Sequence, residues 1–228
     1  MALNGFSLGR AFPIFASLLL GLIMVGPGYA VDYRLEPLNE SPPAEVSADV
    51  AGALAPTGVR VIRGENTKFC DVWLTKAWQV PADFKATNEV LYPFQPGQLI
   101  GVVRYYRSAT DFREQKLKSG LYLLRYGQQP VDGAHVGTSP TRDFLLVVKA
   151  TAEDKAEPLD MKMLNRVSSE ATESLHPGIL SMQRLQAEAY PSLRHNEDHD
   201  WWVVGVNGTG NGKPLPIEFV IVGISPEI

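Results

Sequence analysis

Asp132, His135, Ser139, Arg142 and Asp143 fall within one Gly/Pro-rich connection. A carboxylate, an imidazole and a hydroxyl are the groups that nucleophilic catalysis combines: the hydroxyl needs a base, and the base needs an orienting partner. Asp132, His135 and Asp143 are therefore the catalytic candidates of a hydrolase reading. The alternative is structural, with the aspartates capping turns and Arg142 pairing with a carboxylate. No Gly-x-Ser-x-Gly elbow surrounds Ser139, and Pro140 follows it, so the next residue has no N–H to offer an oxyanion.

The run His195-Asn-Glu197-Asp198-His199-Asp200 offers nitrogen and oxygen ligands to zinc or another divalent ion, with His195, His199 and Asp198 as the candidate set. It lacks the glutamate that directly follows the first histidine of the zinc-protease helix, and a solvated acidic loop before Trp201 is the alternative. Arg104 and Arg125, each mid-strand, and Arg142 are candidates for bidentate hydrogen bonds to an anionic ligand. Such arginines also pair with carboxylates across strands or snorkel to an edge. Trp73, Trp78, Trp201, Trp202, Tyr105, Tyr106 and Tyr122 are aromatic candidates for a sugar-stacking platform; Trp201 and Trp202 are adjacent, so a strand sends them to opposite faces and Trp202 is the candidate for contacting a ligand, with core or cross-strand packing as the alternative for all of them.

The elements that position these groups read as short strands. Leu121–Tyr126 is apolar on both faces and follows Ser119-Gly120, and Phe144–Val148 is an unbroken apolar run, as interior strands are. Val59–Arg63 and Lys68–Leu74 flank Gly64-Glu65-Asn66, a connection of hairpin length. Leu99–Tyr106 is another strand, reached through a proline-broken loop that carries Tyr92 and Phe94. Trp201–Val206 and Leu215–Ile224 form a last hairpin with a long glycine-rich tip at 207–212. Ile179–Leu185 fits either a strand or a short helix. A helix is expected around 160–175, N-capped by Asp160, with Leu164, Val167, Ala171 and Leu175 on one face and a stop at His176-Pro177-Gly178. This pattern predicts a mainly β fold, an antiparallel β-sandwich of Ig-like or jelly-roll-like kind with one inserted helix.

Residues 1–30 have the layout of a secretory signal peptide: Arg10 near the start, an apolar run from Phe15 to Val25, and Gly28-Tyr29-Ala30 as a small-x-small end. Cleavage after Ala30 predicts a secreted or periplasmic protein with no stable membrane span. An uncleaved anchor is the alternative, although the apolar run is short and Gly26-Pro27-Gly28 breaks it. Residues 31–57, rich in Pro, Ala, Glu and Ser, read as an extended or disordered lead-in, and 58–228 as a single domain. The mature chain would carry 20 basic and 25 acidic residues, since only Arg10 is lost from the 21 basic ones, and this mild acidity gives no reason to expect nucleic acid as a partner. Cys70 is the lone cysteine, so no intramolecular disulfide forms.

Together with the secretory start and the strand pattern, the run Gly120-Leu-Tyr-Leu-Leu-Arg-Tyr126 resembles secreted bacterial proteins with a β-sandwich domain, over roughly Gly58–Val148. The resemblance implies location and fold and brings no activity, cofactor or site residues with it. The expected function is non-catalytic binding of a small ligand or a protein partner, without a cofactor; the alternatives are a hydrolase using the 132–143 loop and a divalent-metal protein using His195 and His199.

Overall fold

The computed structural model describes Met1 and residues 31–130 and 139–226. A division at Ala30 leaves Val31–Ile228 as one compact unit. Residues 2–30, nearly all of the expected signal peptide, and the catalytic candidates Asp132 and His135 lie outside the described residues. Among the described residues no helix is long and apolar enough to cross a membrane.

In chain order the elements are β1 (Tyr33–Leu38), α1 (Ala48–Ala53), β2 (Gly58–Arg63), β3 (Thr67–Leu74), β4 (Leu99–Tyr105), β5 (Ala109–Thr110), β6 (Lys116–Leu117), β7 (Gly120–Gln128), β8 (Asp143–Lys149), α2 (Met161–Thr172), β9 (Ile179–Gln183), β10 (Ser192–Asn196), β11 (Trp201–Gly210) and β12 (Lys213–Val222). The fold is mainly antiparallel β, built on one large, nearly closed sheet. Its ten strands run in the order β1-β2-β3-β4-β7-β8-β9-β12-β11-β10, with β5 and β6 forming a separate ribbon. At the seam between the two end strands, the Tyr33 ring of β1 meets the Trp202 ring of β11 with centroids 5.3 Å apart.

Alternation along the strands divides the apolar side chains into two clusters, because successive residues point to opposite faces. One gathers Val61, Cys70, Val103, Leu124, Val147 and Phe219 into the space that the sheet encloses. The other, with Trp73, Val102, Leu123, Leu146, Trp201 and Val203, lies under the helices. Cys70 is fully buried, and burial raises its thiol pKa, so it behaves as a core side chain.

Helix α2 forms where its spacing predicts. Asp160 accepts hydrogen bonds from the Lys162 and Met163 amides, 3.0 Å each, and Leu164 and Val167 bury against the sheet. Burying two such aliphatic side chains contributes about 1.5–3 kcal/mol apiece, and Leu164→Ala would remove the better buried of them. The helix ends at Thr172, where Glu173 turns left-handed at φ 56°. Leu175 therefore leaves the apolar face and stands 94 % exposed.

Residues 31–57 are not a lead-in. Their first strand, β1, pairs with β2 from Tyr33↔Arg63 to Leu38↔Gly58, and α1 buries Val50. Pro, Glu and Ser conceal this, because an edge strand needs only one apolar face and β1 tolerates Pro37 at the sheet edge. The 207–212 tip is also shorter than its composition predicts. Strands β11 and β12 stay paired to Gly210↔Lys213, and Asn211-Gly212, at φ 48° and 76°, makes the two-residue turn. Gly208 lies within that pairing because Trp78 packs there: a Cβ would stand 2.1 Å from the indole. Ile179–Gln183 resolves to strand β9.

Candidate functional site

The 132–143 connection leads into β8, and its last residue, Asp143, is buried. One Asp143 oxygen accepts the Leu91 N–H at 2.6 Å and the other accepts the Tyr126 hydroxyl, which itself accepts from the Gln128 amide at 2.9 Å. Burial raises the Asp143 pKa against the opposing pull of these donors. A carboxylate with both oxygens held this way anchors the incoming 87–94 loop to β7 and β8. Ser139 shares a 2.6 Å hydrogen bond with the Ser181 hydroxyl, which also accepts from Gln183 at 2.8 Å. Neither contact supplies the base that a nucleophilic serine needs.

The three candidate arginines do not converge. Arg125 is fully buried, ion-paired with Glu153 and donating to the Gly97 and Glu157 carbonyls at 2.8 Å each. It ties β7 to the chain that leads into α2. Arg142 donates twice to the Gln129 carbonyl, at 3.0 and 2.9 Å, and Arg104 reaches Glu45 at 2.6 Å.

The acidic segment 195–200 is part of a hairpin rather than a free loop, since His195 lies in β10 opposite Trp202. His195 stacks on Trp202 with centroids 4.5 Å apart and contacts Asp200 at 2.7 Å, whereas His199 stacks on Trp201 at 4.4 Å. Trp201 belongs to the cluster under the helices and Trp202 packs on the enclosed one, so the two imidazoles are drawn to opposite faces. Among the described residues no group of three His, Cys, Asp or Glu side chains is placed to hold a metal ion.

Two clefts elsewhere are lined by polar groups that these contacts do not engage. The larger, about 470 Å³, lies near the seam and is lined by Tyr33, Phe69 and Ile221 together with Arg63, Arg107 and Lys116. Its cations come from three places: the end of β2, the turn after β4, and β6. None of the three is in an ion pair among the described residues, although Lys116 lies in the field of Glu173. Burial raises the Tyr33 phenol while Arg63 and Arg107 pull the other way, which puts both guanidinium groups within electrostatic reach of its hydroxyl. Behind it, Tyr33 meets Phe69 edge-on at 5.3 Å and Trp202 at 5.3 Å. Trp202 packs on Tyr33 and does not itself line the cleft.

The smaller cleft, about 200 Å³, lies where the segment after β3 meets the start of β4, and its lining contains no charged side chain. Thr75, Trp78, Gln79, Gln95 and Gln98 supply its polar groups.

Sequence reasoning missed both clefts. Arg63, Arg107 and Lys116 share no spacing, Tyr33 sat in the supposed lead-in, and Thr75 and Trp78 carry no motif. Trp78, one of seven candidate aromatics, and cationic residues next to strand ends were the clues, and both are too common to single out a site. Compared with family models, curated proteins and solved structures, the chain matches none.

Proposed function

We propose that the protein is a non-catalytic, extracytoplasmic binding module that takes a small organic anion in the seam cleft. The observation that carries this reading is the set of three cations, Arg63, Arg107 and Lys116, left without salt-bridge partners around an apolar floor. Guanidinium groups favour carboxylate and phosphate through paired N–H donors, and the floor of Phe69 and Ile221 suits an apolar body behind the anionic head. The volume lies within the range of about 300–1,000 Å³ typical of small-molecule sites. Extracytoplasmic placement rests on the 1–30 segment.

Calorimetric titration of the full chain with benzoate, phenyl phosphate and the neutral control benzamide tests the reading. Either anion should bind and benzamide should not, with affinity falling as salt rises. Arg63→Ala/Arg107→Ala should weaken anion binding at least tenfold, while Arg104→Ala should leave it unchanged. Equal binding of benzamide, or an unaffected double variant, would sink the proposal.

A further inference from the structure

Two residues that line the smaller cleft each carry a buried polar side-chain atom that has nothing to bond. Thr75 is 7 % exposed and Trp78 is 1 % exposed, and neither the Thr75 hydroxyl nor the Trp78 indole N–H has a hydrogen-bond partner. Leaving such a group buried and unpaired costs about 1–3 kcal/mol, and most native proteins avoid it. Among the described residues four buried side-chain atoms are unpaired, on Thr75, Trp78, Tyr105 and Ser192, and two of the four belong to residues that line this one cleft.

The main chain beside them is already engaged. The Thr75 N–H donates to the Ile100 carbonyl at 3.0 Å, Lys76 N–H to Ala53 at 2.8 Å, and Trp78 N–H to Thr209 at 2.7 Å. A peptide strand adding itself here would find no free ladder of backbone groups to pair with. What remains is side-chain chemistry of one kind. Gln98 is fixed by its own contacts, accepting from the Gln95 N–H at 3.0 Å and donating to the Gln79 carbonyl at 3.2 Å. The side-chain amides of Gln79 and Gln95 make no hydrogen bond among the described residues and stand at the exposed rim.

Hydroxyl, indole and amides together both donate and accept, and they carry no charge. A ligand that matches must present several neutral groups that also do both, close together on a compact body. An anion would find no cation here, and a purely apolar group would bury the unpaired atoms more deeply. We infer that this cleft is a second binding site, for a single neutral sugar ring, separate from the anion cleft and independent of it. About 200 Å³ suits one ring, and it falls below the room that drug-sized ligands use. In this arrangement Thr75 and Trp78 lie deepest and bond ring hydroxyls, while Gln79 and Gln95 close over from the rim.

The test uses conservative substitutions that separate binding from folding. Thr75→Val keeps the shape and deletes the hydroxyl; Trp78→Phe keeps an aromatic ring and deletes the N–H. The full chain is titrated with glucose, galactose, mannose and N-acetylglucosamine, following both the melting temperature and ligand-detected NMR saturation transfer, with N-acetylglycinamide as the peptide-like control. At least one sugar should bind saturably, and Thr75→Val should weaken it at least tenfold. The same variant should melt, without ligand, at the wild-type temperature or above it, because an unpaired buried group has been removed. Should Trp78→Phe fail to fold, Thr75→Val still decides the matter. Absence of saturable binding by all four sugars, unaltered binding in Thr75→Val, or binding by N-acetylglycinamide alone would each overturn the inference. Arg63→Ala/Arg107→Ala should leave sugar binding intact, and loss of it there would overturn the independence of the two sites.

Discussion

The cluster around Glu218 and the seam cleft make an instructive contrast. Glu218 is 1 % exposed, yet it accepts from the Gln186 and Ala187 N–H groups at 2.8 Å each, the Tyr190 hydroxyl at 3.0 Å and Arg194 at 3.1 Å. Arg63, Arg107 and Lys116 carry three positive charges and have no ion-pair partner among the described residues. A buried charge must be satisfied within the fold or its desolvation cost destabilises the protein, so it is rarely free for chemistry. A charge at the rim of an apolar floor stays solvated, and it can exchange that water for a ligand. Neutral groups follow the same logic with one inversion: Thr75 and Trp78 are buried and unsatisfied, a state that a ligand could relieve.

The sharpest way to break this contrast is Arg125→Met. It leaves the nearly buried Glu153 carboxylate uncompensated, and urea unfolding should show a loss of about 3–5 kcal/mol. A change under about 1 kcal/mol would mean that the interior charges are not integral to the fold. Glu218→Gln should cost about 2–3 kcal/mol, because a side-chain amide cannot accept from every donor now served. The Tyr190 phenol, pushed up to about 12 first by burial and then by Glu218, should titrate closer to its ordinary 10 in that variant, as read by ultraviolet absorbance at alkaline pH.

Asp143 gives a smaller, pH-dependent effect. Burial holds its folded pKa above the ordinary 3.8, so the folded state binds the proton more readily than the unfolded chain does. Its contribution to stability is therefore fully present below about 3.8 and is lost as pH rises through the folded pKa. The stability of the wild type minus that of Asp143→Asn should fall with rising pH over that window; a difference that rises or stays flat would contradict the burial. The smallest effect belongs to Arg63→Ala/Arg107→Ala. Its unfolding free energy should stay within about 0.5 kcal/mol of wild type, since neither arginine is in an ion pair among the described residues and Arg63 gives up only its contact with the Tyr33 hydroxyl. A larger loss would place these arginines among the structural charges and weaken the binding reading.

Strand character was legible wherever both faces of a strand are apolar, as in Leu121–Tyr126 and Phe144–Val148, and α2 was legible from its cap and spacing. Local alternation and local capping produce those elements, so a local reading finds them. Leu175 was placed on the helical face because periodicity does not register a left-handed turn at Glu173. Strand β1 was invisible because its partner, β2, lies beyond a helix, and the edge position excuses its proline.

Residue chemistry misled where nearness in the chain stood in for nearness in space. Asp143, Arg125 and the His195–His199 run had the right side-chain types, and the fold commits Asp143 and Arg125 to tertiary contacts and sends the two histidines to opposite faces. By itself the sequence determined the period of each long strand, the cap of α2, the mild acidity and the lack of an internal disulfide, since each depends on neighbours in the chain or on composition. Only the tertiary structure decided which polar groups remain unspent. Satisfaction of a charge or hydrogen bond depends on partners that arrive from distant strands, such as Glu153 for Arg125 or Leu91 for Asp143, and no local pattern encodes their arrival.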